Sequence, residues 1–233
     1  MYWDSTGEWR LTYYSELNKK NEKLLTRVEK NEKALDLLEK QLTYELLMKS
    51  SNSRMLDIGC GVGRQIIEFA ECYPNKTFIG VDKSKHQIGL LNEILTKRKL
   101  KNVTGIILNA AEILNISGQY DLIAFYNNSF GCMNREEQIL CLNSLNKILM
   151  QGGYILFSCF DKMEMIEECY TEWNLPIKNI DYTEGIVNLG EYVSHWKSGY
   201  TITFYYEKNP KITCIYKKHI GLGTVYIYQK SHN

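Results

Sequence analysis

Between residues 12 and 49, Leu17, Leu24, Val28, Leu35, Leu38, Leu42 and Leu46 recur at spacings of three, four and seven among Glu and Lys. This period predicts one or two amphipathic helices. Asn21, Asn31 and Glu45 interrupt any strict heptad, which favours a helix packed on a larger domain over a coiled-coil seam. From residue 53 the pattern changes to short apolar runs separated by helical periods. "RMLDIG", "KTFIGVD", "NVTGIILN", "YDLIAFY" and "YILFSCF" read as strands. Helices are predicted over 63–73, stopping before Pro74, over 85–99 and over 135–150, with Ile139, Leu142, Leu145 and Leu149 on one face. The fifth strand is expected to begin after a Gly152-Gly153 turn. Apolar strands alternating with helices predict a doubly wound, mostly parallel sheet.

The tail differs. "KITCIYKK" and "GTVYIYQK" flank a glycine-containing turn, as in an antiparallel hairpin at a sheet edge. Residues 161–173 predict a helix, whereas "YTITFYYE" alternates like a strand but would also suit a short helix. Two regions follow: an N-terminal helical lid or extension over 1–50, and a main domain over 51–233 with a roof insertion at about 161–210.

Composition narrows this picture. At 233 residues, 44% apolar and 24% charged, the chain has the make-up of an ordinary soluble globular protein. No apolar run reaches the ~18 residues of a membrane span, and the first ten residues lack the apolar core of a signal peptide. A net charge of +1 gives no general attraction to nucleic acid or anionic membrane. Seven cysteines without a CxxC pair read as reduced thiols in a cytoplasmic protein, a monomer or homodimer.

The chemistry concentrates in "RMLDIGCGVGR". Gly59 and Gly61 let bare backbone approach a ligand, and Gly63 permits close packing at the start of a helix. A dinucleotide fingerprint would need a third glycine where Arg64 stands, and a phosphate loop would need Gly-Lys-Ser/Thr. What remains is G-x-G-x-G with Asp57 two residues before it. A pyrophosphate has no use for that carboxylate, whereas a cationic amino-acid moiety does. Asp82, at the end of the next strand, falls where an acid accepts hydrogen bonds from ribose hydroxyls. A positive amino acid joined to a nucleoside describes S-adenosylmethionine.

With "LDIGCGVGR", "GVDKS", "AAEIL" and "LNKILMQGGYILFS" in order, residues 50–160 resemble the class I S-adenosylmethionine-dependent methyltransferases, and the terminal hairpin resembles them more loosely. The resemblance implies a Rossmann-like fold with a seven-stranded sheet. It also implies that Asp57, Gly59, Cys60, Gly61 and Gly63 hold the methionine part of the cofactor. Asp82 would clamp the ribose and Lys83 would lie along the adenine. The family often has an acid before Ala-Glu to receive the adenine amino group. Ala110 stands there instead, leaving adenine to the backbone of Ala111 and Glu112 or to Asn109.

The acceptor site is expected near "YNNSFGCMN", with Tyr126 and Asn127 touching cofactor or acceptor. That loop lacks the Asn/Asp-Pro-Pro-aromatic motif of DNA amino-methylating enzymes. Two asparagines without an acid also make a poor Mg²⁺ site, so no metal is expected. The loop resembles the small-molecule branch, which implies transfer to a nitrogen or oxygen acceptor without nucleic acid or membrane partners. An RNA or protein methyltransferase is the alternative, and a nucleotide-binding oxidoreductase is disfavoured by the failed fingerprint. Tyr2, Trp3, Trp9, Tyr13 and Tyr14 fit an aromatic lid, with helix packing the plainer reading. Tyr14 and His195, in the expected roof, are the catalytic candidates; His86, His219 and His232 read as surface residues.

Overall fold

The computed structural model describes residues 12–49, 53–190 and 192–232. Residues 12–19 form helix α1, and Arg27–Met48 form α2, which starts at a capping box between Thr26 and Glu29. Then follow β1 (Arg54–Ile58), α3 (Arg64–Cys72), β2 (Thr77–Asp82), α4 (Lys85–Arg98), β3 (Val103–Ile107), β4 (Tyr120–Phe125), α5 (Arg135–Ile148) and β5 (Leu149–Phe160). The remainder is α6 (Ile166–Glu172), β6 (Asn179–Asp181), β7 (Ile186–Asn188), β8 (Val193–His195), α7 (Ser198–Glu207), β9 (Ile212–Ile220) and β10 (Gly223–Lys230). The main sheet has the order β3-β2-β1-β4-β5-β10-β9. β1 to β5 run parallel, and the β9–β10 hairpin closes the edge antiparallel to β5.

Strand alternation splits the core in two. Met55, Phe78, Leu122 and Leu156 face α2, α3 and α4 on one side, where Leu35, Phe69 and Leu91 are buried. Leu56, Val81, Ile123 and Phe157 face α5 and α7 on the other, with Leu142, Leu145 and Ile202. The stripe that ran from Leu35 to Leu46 thus seats α2 on the sheet; Leu24, at its start, is exposed. α2 also crosses the β9–β10 turn. Gly221 there has φ +61°, and a Cβ on it would lie 2.0 Å from the Asn31 carbonyl oxygen, so only glycine fits.

One expectation needs correcting, and a reading left open between strand and helix is decided. The helix over 135–150 ends at Ile148, and the fifth strand starts at Leu149 instead of after the two glycines. The glycines sit inside it at an irregularity of pairing with β4 between Tyr120 and Leu122. Residues 198–207 are helix: Ile202 and Tyr206, four apart, are both buried, and tertiary packing overrides the β propensity of Thr and Tyr. Residues 161–210 otherwise hold α6 and a small antiparallel sheet, β6-β7-β8. No helix among the described residues is long and apolar enough to cross a membrane.

Candidate active site

Strand order reverses between β1 and β4, the point in such sheets where the carboxyl ends leave a crevice. A cavity of about 670 Å³ opens there, bounded by the glycine loop, the ends of β2 and β4, Tyr14 of α1 and Tyr192 of the insertion. This volume lies within the range of small-molecule sites.

The loop between β1 and α3 is held from beneath. The Gly59 and Cys60 amides donate to the Val81 carbonyl at 2.8 and 3.1 Å. Gly61 and Gly63 have φ of +57° and +79°. A side chain on Gly63 would strike Leu91 Cδ1 at 2.5 Å, so close packing of α3 on α4 requires glycine. Asp82 accepts from the Gly61 amide through Oδ2 and from the Ser84 amide through Oδ1, both at 2.9 Å.

After β4 the chain makes a tight turn. Asn127 and Asn128 have φ of 47° and 62°, and the Ser129 amide donates to the Tyr126 carbonyl at 2.9 Å, a type I′ turn of the kind asparagine tolerates. Asn128 points away from the cavity, accepting from the Phe160 amide and donating to Ser194 Oγ. Tyr126, Asn127 and Ser129 face the cavity. Ser129 Oγ donates to the Ile58 carbonyl at 3.0 Å, locking this turn to the glycine loop.

The third wall comes from the N-terminal helices. Asp36, Glu39 and Thr43 are buried on α2 at a spacing of three and four. Asp36 is ion-paired with Arg64, whose guanidinium carbon lies 3.9 Å from the Tyr14 ring centroid. Glu39 accepts from the Asn127 amide (2.8 Å) and from Gln65 Nε2 (2.7 Å). Thr43 Oγ1 and the Tyr126 hydroxyl are hydrogen-bonded at 2.7 Å.

The electrostatics are lopsided. Asp57, only 3% exposed, is pushed up to about 8 by burial and by the negative Asp82 and Glu39, with Arg64 pulling the other way. Burial, reinforced by Asp36, raises Glu39 to about 7. Gln65 Oε1 is buried without a hydrogen-bond partner. Burial also drives the Cys60 thiol and Tyr126 hydroxyl well above their ordinary ranges, so both stay neutral. Excess carboxylate and an orphaned acceptor suit a cationic donor.

A pH dependence follows. Both carboxyls hold their protons to higher pH in the folded chain than in the unfolded one, so their stabilisation is complete near pH 4 and is lost as pH rises through 7 and 8. Without ligand, the protein is expected to lose several kcal/mol between pH 5 and 8. Asp57→Asn should flatten the upper part of that slope. Urea titrations across this range provide the check, and a melt independent of pH would contradict the charge distribution described.

Asp57, Gly59, Cys60, Gly61, Asp82, Lys83, Tyr126, Asn127 and Tyr14 all line the cavity. Lys83 Nζ lies 5.5 Å from the Tyr192 ring centroid, and Gly63 caps α3 at the loop's end. Leu108, Asn109 and Ala110 line the wall, but Ala111 and Glu112 do not. The Ala111 amide already donates to Asn109 Oδ1 at 3.0 Å. His195 is also off the wall. It ends β8, with its carbonyl oxygen packed against Gly131, and its Nε2 is buried without a partner. Tyr13 and Tyr14 both donate to Glu32 of α2; Tyr2, Trp3 and Trp9 lie outside the described residues. Asp36, Glu39, Thr43, Gln65 and Tyr192 join the site unannounced by any motif. Among the described residues no group of three His, Cys, Asp or Glu side chains is placed to hold a metal ion.

Comparison with known proteins places this geometry in context. A family model described as "Methyltransferase domain" matches residues 49–206. An uncharacterized protein of Rickettsia prowazekii (strain Madrid E) is 35% identical over 106 residues, 46% of this chain and 42% of that one. A tRNA (guanine-N(7)-)-methyltransferase of Pseudomonas putida (strain W619) is 38% identical over 82 residues, 35% of this chain and 34% of that enzyme. The chain thus spans less than half the length of these curated relatives. Among solved structures, the CcbJ methyltransferase of Streptomyces caelestis shares the fold with a TM-score of 0.64 at 15% identity, covering 82% of this chain and 89% of that one.

Proposed function

This chain belongs to the methyltransferase-domain family, and from that premise we propose that it transfers the methyl group of S-adenosylmethionine to a small-molecule nitrogen or oxygen acceptor. The observation that carries this reading is the buried carboxylate excess beside an orphaned Gln65 Oε1, on the wall of a cavity at the switch point of the sheet. Asp57 and Gln65 offer acceptors to a cationic amino-acid moiety, and Asp82, at the end of β2 on the cavity wall, is the carboxylate placed to take ribose hydroxyls. Asn109 and Ala110, rather than Ala111 and Glu112, are the residues available to an adenine edge. Once bound, S-adenosylmethionine supplies a methyl group already activated on a sulfonium. The protein's task is then alignment and exclusion of water. Tyr14, Tyr126 and Tyr192 give walls for both.

The small-acceptor reading rests on the cations of the wall. Arg64 and Lys83 are the two that line it among the described residues; the first is committed to Asp36 and the second sits over Tyr192. Calorimetry should find S-adenosylmethionine and S-adenosylhomocysteine binding, with NAD and ATP far weaker. Comparable NAD affinity would sink the cofactor assignment. Release of S-adenosylhomocysteine should then be driven by pools of small amines and hydroxyl compounds; turnover on tRNA or protein alone would move the acceptor to the macromolecular alternative.

A further inference from the structure

The turn after β4 has one amide that its own strand does not satisfy. Asn127 and Asn128 both occupy the left-handed region, which asparagine tolerates better than other side-chain-bearing residues. The Asn128 amide donates to the Ser158 carbonyl at 3.0 Å and its side chain bridges Phe160 and Ser194. The Asn127 amide instead reaches out of the sheet to Glu39 of α2, which lies before the segment matched by the family model. Glu39 is 1% exposed, and its other oxygen takes the Gln65 amide from the first turns of α3. One carboxylate therefore ties together the turn after β4 and the helix after the glycine loop, at the two edges of the cavity. Ser129 transmits any shift of the turn to the glycine loop: it holds the Ile58 carbonyl, and a Cβ on Gly59 would meet its own Cβ at 2.7 Å.

We propose that Glu39 is a positioning residue for the cofactor site, setting the Tyr126–Ser129 turn against the glycine loop through the Asn127 amide. This inference rests on the cofactor reading above. α2 thereby braces the site from behind its lining, acting through Asn127 and Gln65 rather than by touching the ligand.

The test is a pair of near-isosteric variants. Glu39→Met keeps length and helix propensity but removes the acceptor. Glu39→Gln keeps an acceptor for the Asn127 amide, and Gln65 can turn its orphaned carbonyl to the new amide. With S-adenosylhomocysteine as the calorimetric probe, Glu39→Met should bind at least tenfold more weakly than the native chain and Glu39→Gln within about threefold. In the native protein the Asn127 amide should show hydrogen-exchange protection comparable to the core strands, whether or not a variant folds. Native affinity in Glu39→Met, equal weakening in both variants, or a fast-exchanging Asn127 amide would each overturn the role. A native chain that fails to bind S-adenosylhomocysteine would instead overturn the cofactor reading, and the Asn127 exchange would still decide the contact.

Discussion

Arg64→Leu is expected to destabilise the protein by about 3–5 kcal/mol, the usual range when one partner of a buried ion pair is removed. Arg64 is 17% exposed and Asp36 2% exposed, so water does little to replace the guanidinium. Its loss would leave Asp36 with only Lys40 at 3.5 Å, would take away the cation beside Glu39 and Asp57, and would also remove the Tyr14 stacking partner. The leucine side chain is an apolar filler, so the deficit is electrostatic rather than a cavity. The effect should consequently depend on pH: smaller near pH 5, where Glu39 and Asp57 are protonated, and larger near pH 8, where they ionise. Arg64→Lys keeps the charge but loses the planar stack, and should fall between the two. Denaturant titrations at both pH values measure this. A loss below about 1 kcal/mol at pH 8 would mean that Lys40 and solvent already balance the acid cluster without Arg64.

Asp82→Ala is expected to weaken S-adenosylhomocysteine binding by more than a hundredfold. Two hydrogen bonds to a charged acceptor are worth roughly 1.5–3 kcal/mol each, and about 2.7 kcal/mol already corresponds to that factor. The substitution also frees the Gly61 and Ser84 amides, the two donors that Asp82 now holds at 2.9 Å. Part of the loss should therefore show as a looser glycine loop. Asp82→Asn keeps one acceptor oxygen and should fall in between. The sheet should survive both changes, because Asp82 ends its strand on the cavity side and is only half-buried. Binding by Asp82→Ala within threefold of native would place the ribose elsewhere.

Much of this architecture was readable from local pattern, because each central strand announces itself by an apolar run and each helix by a cap or breaker. Ser84 and Asn134 stand at N-caps where the periodicity starts, and the Asp57, glycine-loop and Asp82 set is contiguous or nearly so in the chain. What stayed hidden depends on contacts distant in sequence. Residues 198–207 look β-like until α5 and β9 bury Ile202 and Tyr206. His195 drew attention as the lone histidine of the expected roof, yet the insertion presents Tyr192 to the cavity instead. The acids of α2 read as an ordinary solvated helix face. One signal was present: Glu29, Glu32, Asp36, Glu39 and Thr43 recur at three and four, and all five are buried. A second periodic stripe, polar and flanking the apolar one, marks a helix that packs against something it must hydrogen-bond.

The seat of α2 on the Gly221 turn also fixes an order of assembly as the chain is made. α2 is synthesised before β1, yet the turn beneath Asn31 and the β10 surface it covers are made only after all five parallel strands. Contacts of such long sequence separation cost the most loop-closure entropy and form late. While the ribosome is still working, the Leu35–Leu46 stripe has only part of its surface to cover and stands open to chaperones or to aggregation. The parallel strands can pair in the meantime, but α2, whose Asp36 and Glu39 brace the cavity lining through Arg64, Gln65 and Asn127, is fully seated only when the β9–β10 hairpin closes. A ribosome-arrested chain stopped before residue 212 should therefore contain a sheet and lack a binding site.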